Sequence, residues 1–334
     1  MAQFLHLFET ENEFQDKRDN NYSEPWVSYT EENGKVVYNK SEEEREYERM
    51  LSVPLTFEAL TSGDITFYRR NTAYTLTIEY QKNGGNWTQL SSGQGNGNKV
   101  NVVAGDVVSF RGNNKTYTKP TNIGYYNKLS ASCECNVYGN IMSLIDSVNF
   151  SGLTDLEEIS GETCTFYCFF ANSKIVDASM LRLPARVLST RCYDSMFQSN
   201  TLLKKAPKLP ASSLTWRCYD RMFNYCYSLE VAPLLPATTL ASECYQEMFG
   251  QCSGLTQTPV LPAATLASGS CKYMFSGCTS LNHIKCLATD MSATECLKNW
   301  VSGVAASGTF VKKSGVTWPS GNSGIPDGWI VEEV

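Results

Sequence analysis

The stretch Cys218–Leu240, CYDRMFNYCYSLEVAPLLPATTL, contains the pattern on which the fold prediction rests. Its Met-Phe pair recurs at a step of 26 residues on both sides, and its Leu-Pro-Ala triplet recurs at the same step. The pairs begin at Met196, Met222, Met248 and Met274, and the triplets begin at Leu209, Leu235 and Leu261, with an earlier one at Leu183. A fixed period of this length indicates stacked repeat units.

Each unit combines an apolar stripe with an extended stretch. In the unit that begins at Cys244, apolar side chains fall at i, i+1, i+4, i+5 and i+8, which is the spacing of one face of a short helix. Pro262 keeps the following stretch out of a helix. Paired strands lie about 4.8 Å apart and packed helices about 8 to 10 Å apart, so such units splay and curve when they stack. The repeats therefore predict a short leucine-rich-repeat solenoid of about five 26-residue units over residues 165–300.

Residues 1–50 form an N-terminal segment that is too poor in apolar side chains to build a core alone. Asn33-Gly34 lies between two apolar stretches and predicts a β-hairpin, because this dipeptide adopts the positive φ angles of a tight turn. Ser41 followed by Glu44 has the spacing of a capping box and predicts a short charged helix. Such a segment either docks on another chain or packs back on its own neighbouring domain.

The remaining parts are predicted from their local patterns. Residues 51–138 alternate apolar and polar side chains in short runs between Gly- and Asn-rich turns, which predicts a small antiparallel β-sandwich. Residues 139–164 are a connector, and residues 301–334 are predicted to form a C-terminal cap. The predicted class is α+β: an N-terminal β-hairpin segment and a small antiparallel β-sandwich, followed by a short leucine-rich-repeat solenoid with a C-terminal β cap.

Six of the 13 cysteines fall into two columns of the repeat. The columns are Cys192, Cys218 and Cys244, and Cys226, Cys252 and Cys278. Asn200 and Ser270 take the place of a cysteine in these columns, so cross-links are not required at every unit. We interpret the cysteines as buried, reduced thiols; disulfides and a metal site are the alternatives, and the C-x2-C spacing typical of zinc ligands is missing. No metal and no cofactor is expected.

The charge of the chain is concentrated at one end. The formal net charge is −6, and the first 50 residues alone hold 13 acidic and 6 basic side chains, a net charge of −7. This balance argues against a nucleic-acid partner, which needs a basic face to neutralise phosphates. No apolar run reaches the roughly 18 residues of a membrane span, and the first residues lack the basic and apolar regions of a secretion signal. We therefore expect no membrane partner.

Catalytic chemistry finds little support in the sequence. His6 and His283 are the only histidines, and they lie in different predicted parts. A Ser-His-Asp or Cys-His arrangement would need one of them. G-x-S-x-G, H-E-x-x-H and P-loop motifs do not occur. A polysaccharide-cleaving protein would need a pair of acids such as Glu157-Glu158, but adjacent surface acids are the ordinary explanation. We expect no enzyme.

Comparison of the units separates fixed columns from variable ones. Leucine fills one column, at Leu203, Leu229, Leu255 and Leu281, which predicts an inward face. The next two columns vary and are predicted to face solvent, where they either line a surface for a protein or glycan or are merely solvated. Tyr225 and Tyr227 either stack on a sugar or cover a neighbouring turn. The candidate binding residues are Lys204, Lys205, Tyr225, Tyr227, Glu230, Thr256, Gln257, Asn282 and His283.

The repeat pattern also carries a resemblance to a known family. The unit C-Y-x-x-M-F-x-x-C-x-x-L-x-x-A-P-x-L-P-A-x-x-L, clearest at Cys218–Leu240, resembles the 26-residue bacterial surface protein repeat of BspA-like leucine-rich proteins. EPWVSYTE from Glu24, YGNIMSLI from Tyr138 and GIPDGW from Gly324 resemble proteins encoded by gut Bacteroides and their phages, including crAss-like phages. The resemblance implies a virion or surface component. Family members are exported and this chain shows no signal, which favours the phage setting.

We therefore expect a non-enzymatic virion structural protein, such as a fibre, spike or decoration subunit, made in the host cytoplasm. The alternative is a bacterial adhesin at the cell surface whose repeats bind a host protein or glycan. In the first interpretation the N-terminal segment attaches the chain to other subunits, and the chain is a homo-oligomer with a glycan or protein receptor. The predicted attachment residues are Trp26, Val27, Tyr29, Val36 and Tyr38.

Overall fold

The fold is given by a computed structural model, which describes residues 29–32, 35–38, 41–69, 76–90, 98–118, 126–156 and 164–334. Most of its regular structure is β-sheet, divided among several separate sheets, none of which closes on itself. The one α-helix whose bounds are described lies between a two-stranded hairpin and the larger sheets. The predicted α+β class with a leucine-rich-repeat solenoid is therefore wrong, and the chain is a mixed, mainly β protein.

The N-terminal elements follow local sequence signals. β1 (Tyr29–Glu32) and β2 (Lys35–Tyr38) pair in antiparallel orientation, as the turn sequence between them predicts. α1 (Glu42–Arg49) begins after Ser41, whose hydroxyl accepts the Glu44 N–H at 3.1 Å. The Glu44 carboxylate in turn accepts the Ser41 N–H at 3.1 Å. This reciprocal pair confirms the predicted capping box.

Two antiparallel sheets follow. Their strands are β3 (Leu55–Ala59), β4 (Gly63–Tyr68), β5 (Ile78–Lys82), β6 (Thr88–Gln89), β7 (Lys99–Val102), β8 (Val107–Gly112), β9 (Lys128–Ala131) and β10 (Cys135–Asn140), and short 3-10 helices cover Met50–Ser52, Ile141–Leu144 and Phe150–Gly152. The larger sheet has the order β10-β3-β8-β5-β6 and the smaller one β7-β4-β9. β11 (Ile175–Asp177) and β12 (Leu181–Arg182) join β10 in parallel. Since both come from the repeat region, the larger sheet links the two halves of the chain.

One apolar core runs from these sheets into the repeats. Phe57 of β3 packs edge-on against Phe170, with ring centroids 5.9 Å apart. Tyr117 contacts Phe67 of the smaller sheet at 6.4 Å and stacks on Phe166 at 5.8 Å. Both sheets therefore pack directly against the first repeat unit, and no gap in the core separates them from it.

The repeat units contain turns where helices were predicted. In one unit φ is positive at Arg191, Ser195 and Ser199, at every fourth residue, and the following units repeat this at Arg217, Arg221 and Tyr225 and at Glu243, Glu247 and Gln251. An α-helix needs negative φ throughout, so the chain forms a succession of tight turns instead. The apolar spacing i, i+1, i+4, i+5, i+8 fits a four-residue turn as well as a 3.6-residue helix, which explains the wrong prediction.

The backbone N–H groups of these turns alternate along the chain. One donates to a carbonyl of its own unit, and the next donates to a carbonyl of the following unit. The Met196 N–H donates to the Tyr193 carbonyl inside the unit at 3.2 Å, whereas the Phe197 N–H donates to the Met222 carbonyl of the next unit at 2.9 Å. The inter-unit donors of this unit are Arg191, Tyr193, Ser195, Phe197 and Ser199. We call these bonds and their equivalents in later units the amide ladder. Each unit is thus bonded to the next along one whole side.

The side chains that point inward form continuous columns. The rings of Phe197, Phe223, Phe249 and Phe275 stack with centroids 5.6, 5.7 and 5.6 Å apart. The Leu203 column is fully buried in all four units, which confirms its inward assignment. Because turns replace the helices, no wide helix layer forces the units apart, and the physical reason for the predicted curvature is absent.

A small parallel sheet follows the last unit. It consists of β13 (His283–Cys286), β14 (Thr309–Lys312) and β15 (Ile330–Glu333), in that order. Trp300 is fully buried beside it, with its ring 6.0 Å from Phe275 and 6.1 Å from Phe310. These aromatic contacts cover the end of the phenylalanine column.

The stacked column predicts where stability resides. Phe223 is fully buried between two other rings, so Phe223→Ala should lower the free energy of unfolding by about 3 to 5 kcal/mol, through lost burial and a cavity. Lys204→Ala, at an exposed position, should change it by less than about 0.5 kcal/mol. Chemical denaturation of both variants measures the difference. Equal losses would contradict the inward and outward assignment.

Candidate functional site

Two columns of variable side chains lie beside the buried leucines. The first is Lys204, Glu230, Thr256 and Asn282, and the second is Lys205, Val231, Gln257 and His283. All of them are exposed except His283. Lys205 pairs with Val231, and Gln257 with His283, through parallel bridges. The columns therefore form an exposed surface on a backbone that is hydrogen-bonded from unit to unit.

His283 departs from its column because it begins β13. The side chain is half-buried, and its Nδ1 has no hydrogen-bond partner. Burial lowers the pKa of the imidazole, and Glu332 on β15 opposes this shift. The added parallel sheet covers the position that is open in the earlier units. His283 is therefore a less accessible binding residue than the sequence predicts.

A depression of about 230 Å³ opens across three consecutive units on another side of the stack. Its walls are formed by Asn224, Tyr225, Glu247, Gln251, Tyr273 and Ser276. Only Tyr225 was among the predicted binding residues. Tyr227 lies just outside, with its ring edge-on to that of Tyr225 at 6.1 Å. The two tyrosines therefore do not form one flat platform, and the depression brings Tyr225 together with Tyr273 instead.

Two glycines, Gly250 in the lining and Gly277 next to it, let side-chain amides of the preceding units lie against the backbone. A Cβ at Gly250 would lie 2.5 Å from Nδ2 of Asn224, and a Cβ at Gly277 would lie 2.2 Å from Nε2 of Gln251. Each glycine occupies the position 26 residues after the amide residue that covers it. The glycine lets the amide of the preceding unit lie across the backbone. In the sequence, this arrangement is visible as an asparagine or glutamine with a glycine 26 residues later. The prediction of the binding residues did not take that pattern into account.

One hydrogen-bonding group of Asn224, a residue that lines the depression, is unsatisfied. The residue is only 4% exposed, and its Nδ2 donates a long bond of 3.4 Å to the Glu247 carbonyl. Its Oδ1 accepts a bond from no group. A buried amide oxygen without a donor costs about 1 to 3 kcal/mol.

A charged network lies inside the neighbouring units. The carboxylates of Asp194 and Asp220 are fully buried, at equivalent positions one period apart. Arg191 approaches Asp194 at 2.6 Å, and Arg221 approaches Asp220 at 3.1 Å. Arg217 lies 3.8 Å from Asp220 and also pairs with Glu243 of the next unit. These ion pairs connect successive units but are closed to a substrate.

Burial raises the pKa of Asp220 to about 7, and the neighbouring Asp194 adds to the shift. Arg221 and Arg217 act against it, and Glu247 acts with it. Burial likewise raises the pKa of Asp194, whereas Arg191 and the Ser195 hydroxyl oppose the rise. Because two carboxylates share one buried region, their ionisation is unfavourable despite the three arginines.

The cysteines donate hydrogen bonds to the backbone rather than act as reactive groups. All 13 are free and buried, as predicted. The thiols of Cys226, Cys252 and Cys278 each donate to a phenylalanine carbonyl of the preceding unit, at 3.2, 3.1 and 3.0 Å. Asn200 holds the same column and donates its Nδ2 to the Phe170 carbonyl at 2.8 Å. Burial raises the pKa of Cys278 to about 12, so this thiol is not a nucleophile at neutral pH.

The predicted attachment residues fall in a part of the chain with little described structure. Trp26 and Val27 lie outside the described residues. Tyr29 belongs to β1, and Val36 and Tyr38 belong to β2, where Tyr29 pairs with Tyr38 and Glu31 with Val36. For these three residues the structure describes the backbone pairing and not the side chains.

No group of three His, Cys, Asp or Glu side chains suited to a metal occurs among the described residues. No helix within that part of the chain is long and apolar enough to cross a membrane.

Comparison of the chain with family models, with curated proteins and with solved structures found no match.

The buried acids predict a pH-dependent stability. A carboxyl whose pKa is raised in the fold contributes stability that is complete below its unfolded pKa and is lost as the pH rises through about 7. Asp220→Gln introduces the uncharged residue that the next unit holds at Gln246. Its free energy of unfolding relative to the wild type should therefore rise by at least about 1 kcal/mol between pH 5 and pH 8.

Denaturant titrations at the two pH values measure this difference. Gln246→Asn, which exchanges one uncharged amide for another in the same column, is the control and should show no change with pH. An Asp220→Gln difference that stays constant from pH 5 to pH 8 would contradict the raised pKa.

Proposed function

We propose that the chain is a non-enzymatic structural protein of a phage virion, a fibre, spike or decoration subunit, that displays its repeat units as a recognition surface. The amide ladder carries this proposal, because it fixes each unit against the next while the two exposed columns vary from unit to unit. Variable side chains on a rigid backbone are typical of binding surfaces. The virion setting comes from the resemblance to proteins of gut Bacteroides and their crAss-like phages.

The non-enzymatic role is supported by where reactive groups lie in the described residues. Asp194 and Asp220, whose pKa values are raised, have fully buried carboxylates. The cysteine thiols are buried and bonded to carbonyls in the Cys226 column. His283 is half-buried in a small sheet. None of these groups offers an accessible nucleophile or base to a substrate.

Attachment to other subunits is assigned to the N-terminal segment. β1 and β2 pair with each other and with no other strand of the described residues, and the outer edge of such a hairpin can pair with a strand of a neighbouring chain. Residues 1–50 carry a net charge of −7, which favours a basic contact surface on the partner. A homo-oligomer or another virion protein supplies that surface.

A bacterial surface adhesin is the second candidate. It is favoured by the exposed rings of Tyr225 and Tyr227, which are 42% and 46% exposed on a rigid turn. Exposed aromatic side chains are enriched where proteins bind other molecules. In this arrangement the same repeat surface would bind a host protein or glycan from the cell surface.

Immunogold labelling distinguishes the two candidates. Antibodies raised against the full chain are applied to phage particles and to intact bacterial cells from the culture that produces the protein. We expect gold on the particles. Gold on cells alone would overturn the virion role and support the adhesin, and gold on neither would overturn both.

The same experiment tests the attachment role with a matched pair of variants. A chain that lacks residues 1–50 should be missing from the particles, because it has lost the segment that joins the assembly. A chain with Lys204→Ala and Lys205→Ala, altered only in the exposed columns, should be incorporated normally. Normal incorporation of the truncated chain would contradict the attachment role.

A further inference from the structure

We propose that the depression bounded by Asn224, Tyr225 and Tyr273 binds one pyranose ring of an uncharged glycan. This inference rests on the proposed recognition role of the repeats and names a ligand class for it. The depression crosses three units, so its walls exist only because the amide ladder holds those units together.

The size and the aromatic walls suit a single sugar ring. A volume of about 230 Å³ is below the roughly 300 to 1,000 Å³ of pockets that enclose drug-sized ligands, so it accepts one ring while the rest of the ligand stays outside. Tyr225 is exposed and Tyr273 is half-buried, and both contribute to the lining. A tyrosine offers an apolar face to the C–H groups of a sugar and a hydroxyl to its polar edge.

The polar groups match hydroxyls. The amide of Asn224 both donates and accepts, and the carboxylate of Glu247 accepts bonds only. Gln251 and Ser276 each both donate and accept. A ring with several hydroxyls supplies donors and acceptors at once. Among the described residues, the lining contains an acid and no lysine or arginine, which disfavours an anionic ligand and favours a neutral one.

The repeat itself supplies the residues to introduce. Tyr225→Ser introduces the residue that the preceding unit holds at Ser199, where φ is also positive. Gly250→Ser introduces the residue of the following unit, Ser276, and its Cβ would meet the Asn224 amide. Trp216→Ser is the matched control, because it removes an exposed aromatic side chain outside the depression and introduces the residue found at Ser242.

Saturation-transfer NMR on the full chain tests the site with the methyl pyranosides of glucose, galactose, mannose and N-acetylglucosamine as probes. We expect transfer to the ring protons of at least one probe. Tyr225→Ser and Gly250→Ser should each weaken its binding by at least about fivefold. Trp216→Ser should leave it within about twofold of the wild type. Thermal melts of the variants establish that each is folded.

Three results would overturn the proposal: no transfer to any of the four probes, equal weakening by Trp216→Ser, or displacement of the bound probe by a mixed tripeptide pool at equal concentration, which would assign the site to peptides. Its failure remains distinguishable from failure of the proposed function. Particles that carry gold label while the protein binds no pyranoside would leave the virion role intact and remove only the glycan site.

Discussion

The amide ladder is the constraint on which the rest of the molecule depends. Every second N–H in the turn segment donates to the next unit, so the backbone of each unit is held in the register of its neighbour. This alternation requires a positive φ at every fourth residue, which is unfavourable for side chains other than glycine and is sustained only by the neighbouring unit. The eclipsed phenylalanine column, the buried thiol donors and the exposed columns all follow from the same register.

The sequence predicted those features that repeat with the period or depend on a few neighbouring residues. The buried Leu203 column and the capping box of Ser41 and Glu44 are of this kind. The sequence could not show that turns take the place of the predicted helices, because apolar side chains at i, i+1, i+4, i+5 and i+8 fit a four-residue turn and an α-helix equally well. The position of Asn224 was also hidden, since its unpaired oxygen depends on how closely Gly250 of the next unit approaches. Long-range backbone contacts decide such cases.

The reactive groups of the chain are buried, whereas the side chains that vary between units are exposed. Groups that are reactive in water, such as thiols and the carboxyls of Asp194 and Asp220, lie inside and satisfy or link the units. Groups that vary between units lie outside, on the Lys204 and Lys205 columns and around Tyr225. A protein arranged in this way can change what it binds by surface substitution without altering its frame. That separation is the physical basis of the proposed recognition role.

The most direct test of the amide ladder is an NMR measurement of couplings across hydrogen bonds in a deuterated sample. The account predicts a coupling between the amide nitrogen of Phe223 and the carbonyl carbon of Met248, whose oxygen lies 2.9 Å from that nitrogen. A helical repeat would instead couple Phe223 to the carbonyl of Tyr219, four residues earlier. Observation of the Tyr219 coupling in place of the Met248 coupling would contradict the account.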